Sequence, residues 1–324
     1  MPHDDDADGP EGARITRVPV PVETRAPGGT TNAYVIDVPE RHEDDVSART
    51  EGDAPGRRDR IRILVDPAAR TADLDAFAFD GGEADVAAAE LDAIVVTHTH
   101  PDHVGAVAAY AAKTDAVVYA HANHVDRFRG ATGIEPDATI ADGDAVGSSG
   151  VEVLGTPGHA PDGLSFVVGS HVTDVAFEER GATEAEVGTI GTSIVVGDLA
   201  VANGSVAVAA PDGDLADYLD SLDRIRARDP SRLWPGHGPP IEDPKATCTR
   251  LIEHRLERER RMLDAIEAGA DDVDAVLDAA YEKDLTGVEE LARRTVVAHV
   301  GKLVSEGRLD RSWVSDEERG SRPD

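Results

Sequence analysis

The first third of the chain shows short β-branched runs: residues 15–22, 33–38 and 61–65 each read as strands, and the charged stretch 39–60 reads as a long surface loop. From residue 91 the pattern changes. Residues 91–97 form an apolar run of the kind buried in a sheet, 104–113 carry alanine-rich helical periodicity, and 116–119 return to strand, which predicts an α/β layer. Further strands are expected at 151–154, 164–168, 193–196 and 233–235, with 173–192 as a polar excursion and 214–228 as an amphipathic helix. After Pro244 three helical segments follow, at 245–268, 273–281 and 288–306, and 307–314 fits a small strand pair or wing. The expected division is therefore a domain over 14–243, a winged-helix-like helical module over 244–314, and polar tails at 1–13 and 315–324.

Composition changes this picture in two ways. Cys248 is the sole cysteine, which excludes an intramolecular disulfide and any cysteine metal cage, so ligands for a metal must be histidines and carboxylates. Acidic residues number 64 against 32 basic, for a formal charge of −32, and the only lysines are Lys113, Lys245, Lys283 and Lys302. Such a surface repels itself in dilute buffer and is tolerated in concentrated salt, where the screening length falls to about 3 Å. No apolar run approaches the roughly 20 residues that span a bilayer, and the acidic start lacks the pattern of a signal peptide, so a cytoplasmic, membrane-free protein is expected.

The chemistry concentrates in Thr97-His98-Thr99-His100-Pro101-Asp102-His103, where a buried strand gives way to a loop just before a helix. Four ligand-type side chains in six residues cannot all be ordinary core residues, and imidazole with carboxylate suits zinc, iron or manganese. Three later turns carry glycine beside another such residue: Pro157-Gly158-His159, Gly197-Asp198 and Gly236-His237-Gly238. Each follows an expected strand, and glycine permits the close backbone approach that a ligand-presenting turn needs.

With these motifs the sequence resembles the metallo-β-lactamase-fold hydrolase superfamily, which contains glyoxalase II and related nucleases, over roughly residues 14–240. The resemblance implies a four-layer αββα sandwich and two zinc ions, with iron or manganese as alternatives. It implies that His98, His100 and His159 hold the first ion, that Asp102, His103 and His237 hold the second, and that Asp198 bridges them. Asp102 is then also the candidate catalytic group, orienting the attacking water or taking its proton. In the second half Gly197-Asp198-Leu199-Ala200, the run from Trp234 to Ile241, and His254-Arg255-Leu256-Glu257 resemble the lactamase-β-like protein 2 family, whose members carry a winged-helix tail. Segments 39–60 and 173–192 depart from it.

Other residues carry less. Asp66 ends a strand and either hydrogen-bonds a ligand imidazole or satisfies N–H groups in its own turn. His254 and Arg255 match the second resemblance and are candidate contacts for a substrate carboxylate or phosphate; the alternative is pairing with glutamates of the same helix. His3, His42, His121, His124, His171 and His299 are expected to be solvated or structural. The acids around Arg293 and Arg294 argue against a DNA-reading module. The first expectation is hydrolysis of a small acyl or thioester substrate; metal-dependent cleavage of single-stranded RNA comes second and a nucleic-acid-binding regulator a distant third, with a homo-oligomer compatible with each.

Overall fold

The computed structural model describes residues 12–24, 26–39, 60–79, 91–169, 172–176, 185–281 and 285–315. The loop expected at 39–60 and the two tails lie, but for their edges, outside the described residues. Two sheets form the centre. The larger contains β1 (Ala13–Pro21), β2 (Thr30–Pro39), β3 (Arg60–Val65), β4 (Ala93–Val95), β5 (Val117–His121) and β6 (Ala138–Ile140) as neighbours in chain order, antiparallel through β3 and parallel from there. The smaller contains β7 (Glu152–Gly155), β8 (Leu164–Val168), β11 (Ser193–Gly197) and β12 (Arg232–Pro235) in the order β12-β11-β8-β7. Between β8 and β11 come β9 (Val172–Ala176) and β10 (Ala185–Ile190), which extend the large sheet beyond β1. The described residues of the segment expected as a polar excursion are therefore mostly strand: β9 runs parallel to β1 and β10 returns antiparallel to β9, supplying partners to backbone groups that β1 would otherwise leave unpaired.

Period-2 alternation sorts the side chains into layers. On β2, β3 and β4, Tyr34, Ile36, Ile63, Val65 and Val95 face the small sheet and meet Val153, Phe166, Val195 and Trp234. The intervening Val35, Leu64 and Ile94 face helices α1 (Ala72–Ala78), α3 (Val107–Ala111) and α4 (Val125–Thr132). On the small sheet Leu154, Val167, Ile194, Val196 and Leu233 point the other way, onto α5 (Leu215–Ala227). The result is the expected four-layer αββα sandwich. The helix expected at 104–113 is realised as α3 alone, a separate turn α2 (Pro101–Val104) ending where it was expected to begin; at the break Ala106 N donates to Pro67 O at 2.8 Å, and Gly105 runs so close to Ala68 that a Cβ there would strike its carbonyl oxygen.

The chain ends in α6 (Pro244–Glu267), α7 (Val273–Ala280) and α8 (Glu289–Ser305). Asp243 and Asp272 cap the first two through their side chains. Residues 307–314 form no strand pair but a turn and a single 3-10 turn at Arg311–Trp313, so the wing is not realised; Arg308 is drawn back onto Glu259 at 2.9 Å, and Leu309, Trp313 and Val314 pack onto the helical core. That core is continuous from the small sheet through α5 to Cys248, Leu251, Val276 and Val296. Among the described residues no helix is long and apolar enough to cross a membrane.

Candidate metal centre

Four strand ends build the site. β7 and β12 both run parallel to β11, the first because each of β7 and β11 is antiparallel to β8, so the C-terminal ends of all three lie along one edge of the small sheet. His159, Asp198 and His237 leave from these ends, while His98, His100, Asp102 and His103 leave from the end of β4 in the facing sheet. Glycine makes the close approach possible. A Cβ on Gly236 would strike the Asp198 carboxylate and the His103 ring. The turn carrying His237 is held by Asn32 Nδ2, which donates to Pro235 O at 2.9 Å and Gly238 O at 2.8 Å, and by the Tyr34 hydroxyl, which donates to Pro235 O at 2.5 Å.

All seven residues expected to hold metal come together. His100 Nδ1 lies 3.0 Å from His98 Nε2 and 2.9 Å from His159 Nε2. His237 Nε2 lies 3.3 Å from carboxylate oxygens of both Asp102 and Asp198, and His103 Nε2 lies 3.5 Å from Asp198 Oδ1. Ligand-type atoms group within 4.8 Å as His98/His100/His159, as Asp102/His103/His237, and as His98/His103/Asp198, which links the other two.

The outward-facing nitrogens of these rings have acceptors. His103 Nδ1 is 2.9 Å from Asp66 Oδ2, His237 Nδ1 is 2.8 Å from Thr30 O, and His159 Nδ1 is 2.7 Å from Ala207 O. His98 Nδ1 is 3.1 Å from Thr97 Oγ1, which itself donates to Asp66 Oδ2 at 2.7 Å. His100 Nε2 is 3.6 Å from Asp212 Oδ2. If the proton of each neutral ring sits on its outer nitrogen, every inner nitrogen turns a lone pair into the cluster. Lone pairs 2.9–3.0 Å apart repel unless a cation lies among them. Consistent with this, His103 Nε2, His237 Nε2 and Asp198 Oδ1 are buried without a hydrogen-bond partner. The donor set of imidazoles and carboxylates fits a pair of divalent transition-metal ions.

The electrostatics agree. Burial, reinforced by the neighbouring imidazoles, drives His98 well below its ordinary pKa, and burial also lowers His159. Burial pushes His103 the same way, but the Asp66 and Asp198 carboxylates outweigh it and raise the group well above normal. Burial alone would lower His237, but the Asp102 and Asp198 carboxylates beside it outweigh this and raise it to about 9. Asp198 is held well below its usual range by His103 and His237 against the opposing effect of burial. The negative field of the aspartates thus draws positive charge into the centre.

Asp66 takes the first role weighed for it, bonding the His103 ring, and the N–H it accepts, at 2.6 Å, is that of Thr97 at the end of β4 rather than one in its own turn. Asp212 and Arg127 are residues that sequence reasoning misses. Arg127 grips Asp212 with two bonds of 3.0 Å and reaches Thr99 Oγ1 at 3.0 Å, but no local motif marks either residue. The expected substrate contact at Arg255 is corrected: the side chain is 1% exposed, donates to Val206 O and lies 5.5 Å over the Tyr218 ring, because it is drawn into the core behind the 201–208 loop. His254 lies 3.2 Å from Arg258 on the same helix and belongs to none of the ligand groups.

A four-layer sandwich with a His/Asp cluster at facing strand ends defines a class of metal-dependent hydrolases. Residues 57–177 match the model of the metallo-beta-lactamase superfamily. It is 29% identical over 242 residues to the beta-lactamase-like protein 2 homolog of Drosophila melanogaster, covering 71% of this chain and 74% of that protein. A Caenorhabditis elegans protein of the same name is 29% identical over 182 residues, 53% of this chain and 51% of its own length, so the chain spans only about half of that relative. Among solved structures, a metallo-beta-lactamase family protein of Thermus thermophilus superposes with a TM-score of 0.60 at 21% identity, over 90% of this chain and 94% of that one.

Proposed function

We propose that this chain is a dinuclear metal-dependent hydrolase of small acyl substrates, a thioester above all. His98, His100 and His159 would hold one ion, Asp102, His103 and His237 the other, with Asp198 between them. The observation that carries this reading is the convergence of inner ring nitrogens and carboxylates, several of them buried and unpartnered, on one small volume. When bound, two such cations supply Lewis acidity that polarises an acyl or phosphoryl oxygen and brings the pKa of water from 15.7 towards about 7.

The chain's own residues do the rest. Asp66, Thr30 O, Ala207 O and Asp212 fix the orientation of the ligand rings, so little reorganisation is left for the reaction. Asp102 stays ionised, its pKa lowered because the neighbouring His237 and His103 rings outweigh burial, and it faces the cluster. It is placed to accept a proton from the attacking water. The charge of −32 opposes approach of a polyanion such as RNA at low salt, which favours the small substrate.

The test is metal analysis of protein purified in high salt, followed by parallel assays of an acyl thioester and a single-stranded RNA with the wild type, Asp102→Ala and a chelator-treated sample. Two metal equivalents and thioester turnover lost in both controls are expected. RNA cleavage lost in both, without thioester turnover, would replace the substrate assignment. Absence of bound transition metal would remove the reading altogether.

A further inference from the structure

A second polar centre lies behind the first, in the packing between α5, α6 and α8. Arg255 is 1% exposed, and its partners are the Val206 carbonyl and the face of Tyr218; its Nε has none. His299 on α8 is fully buried and neither ring nitrogen finds a hydrogen bond. The hydroxyls of Tyr218 and Tyr281 are also buried and unsatisfied. These groups are brought together by one fixed point: Lys302 Nζ bonds Glu259 Oε2 at 2.9 Å, and one turn back from each partner stand His299 and Arg255. Arg258 joins from the same helix, 5.2 Å over the Tyr281 ring.

Arg255 Nε–H is a donor without an acceptor, and the tyrosine O–H groups and the N–H of a neutral imidazole add further donors, although the phenol oxygens and the second ring nitrogen can also accept. The charge is one-sided. Glu259 is committed to Lys302 and Arg308, and Glu306 to the same two cations, which leaves Arg255 and Arg258 without a carboxylate partner among the described residues. A buried guanidinium without a counter-charge is strongly disfavoured, and a water molecule would supply hydrogen bonds but no charge. Donors and positive charge gathered at one buried point match a small, acceptor-only anion.

We propose that Arg255, His299 and the Tyr218 hydroxyl form a buried site for a small monovalent inorganic anion, chloride being the probe. The site is separate from the metal centre but joined to it by one short segment: Arg255 donates to Val206 O, and the next carbonyl, Ala207 O, accepts from His159 Nδ1. An occupied site would therefore brace the turn against which His159 rests.

The experiment follows thermal unfolding of the metal-loaded full chain at constant sodium concentration and ionic strength, replacing gluconate stepwise by chloride. Gluconate screens surface charge equally and is too large for such a site. In the wild type the midpoint should rise with chloride along a saturating curve. In Tyr218→Phe, which removes one donor while keeping the ring, half-saturation should need about tenfold more chloride; in His299→Leu the dependence should vanish. Crystals grown in bromide should show an anomalous peak within hydrogen-bonding distance of Arg255 and His299. A midpoint indifferent to chloride, a chloride dependence unchanged in both variants, or a structure with only water at this point would overturn the proposal.

Discussion

A histidine that offers one ring nitrogen to a cation must dispose of the other, and the candidate centre shows what happens when the acceptor is a carboxylate. Asp66 is fully buried, accepts from Thr97 N and Oγ1, and bonds His103 Nδ1. Asp66→Ala is expected to weaken metal binding by about 10–100-fold, read by chelator competition, while the far-ultraviolet circular dichroism stays that of the folded protein. Unchanged affinity would show that Asp66 serves only to anchor Thr97. Asp102→Ala should cost about 10²–10⁴-fold in kcat if Asp102 moves the proton, with the His98/His100/His159 ion retained. His237 gives the pH dependence. Its folded pKa of about 9 lies above its unfolded value of 6.5, so in metal-free protein its protonation stabilises the fold fully below about pH 6.5, and that contribution is lost as pH rises through about 9. The same proton must leave for a cation to bind, so metal affinity should rise across this window with proton release measurable by calorimetry in buffers of different ionisation enthalpy. The seven candidate positions were legible in sequence because four of them crowd into residues 98–103 and the other three stand beside glycines in turns after expected strands. Asp212 and Arg127 were not, since they meet His100 and each other only through the tertiary fold.

At the scale of elements, the strand order explains why these side chains meet. Parallel and twice-reversed strands bring three C-terminal ends to one sheet edge, and the run of β4 into α2 faces them across the sandwich. The turn after β12 is a narrow joint between the candidate ligands, because a Cβ on Gly236 would strike the Asp198 carboxylate and the His103 ring. Gly236→Ala should therefore lower metal content well below two equivalents while leaving the unfolding transition cooperative; full metal occupancy would contradict the packing argument. Alternation of apolar positions foretold most strands, since a half-buried strand writes its two faces directly into the sequence. It did not foretell β6, nor β9 and β10, where short segments become strands by pairing with β1 and with each other, nor α1 and α4, each under three turns long. The absent wing has a similar cause: Arg308 has Glu259 as a tertiary partner, which no local pattern reveals. The helices α6, α7 and α8 share one apolar core with α5 and the small sheet. Leu251→Ala, at a site 1% exposed, is expected to cost about 2–5 kcal/mol and to shift a single calorimetric transition. Two separate transitions, only one of them moved, would show that the helices fold as an independent unit.

For the molecule as a whole the dominant long-range force is its own charge. A compact chain of this length has a radius of roughly 25 Å when treated as a sphere. With a charge of −32 the self-repulsion is then on the order of 20 kcal/mol at 0.1 M salt and less than half of that at 1 M. Unfolding relieves much of it, because the expanded chain spreads the same charge through a radius of gyration of about 60 Å. The net stability of a folded domain is only about 5–15 kcal/mol, so this one term is large enough to decide whether the chain folds in dilute buffer. The unfolding midpoint should climb steeply from 0.1 M to about 1 M salt, where the screening length falls from about 10 Å to about 3 Å, and flatten beyond. Screening depends on ionic strength alone, so sodium gluconate should produce most of this rise, and any additional effect of chloride at fixed ionic strength must come from a specific site. A midpoint that is flat or falls with salt would mean that the acidic surface is offset by local pairing and does not govern folding.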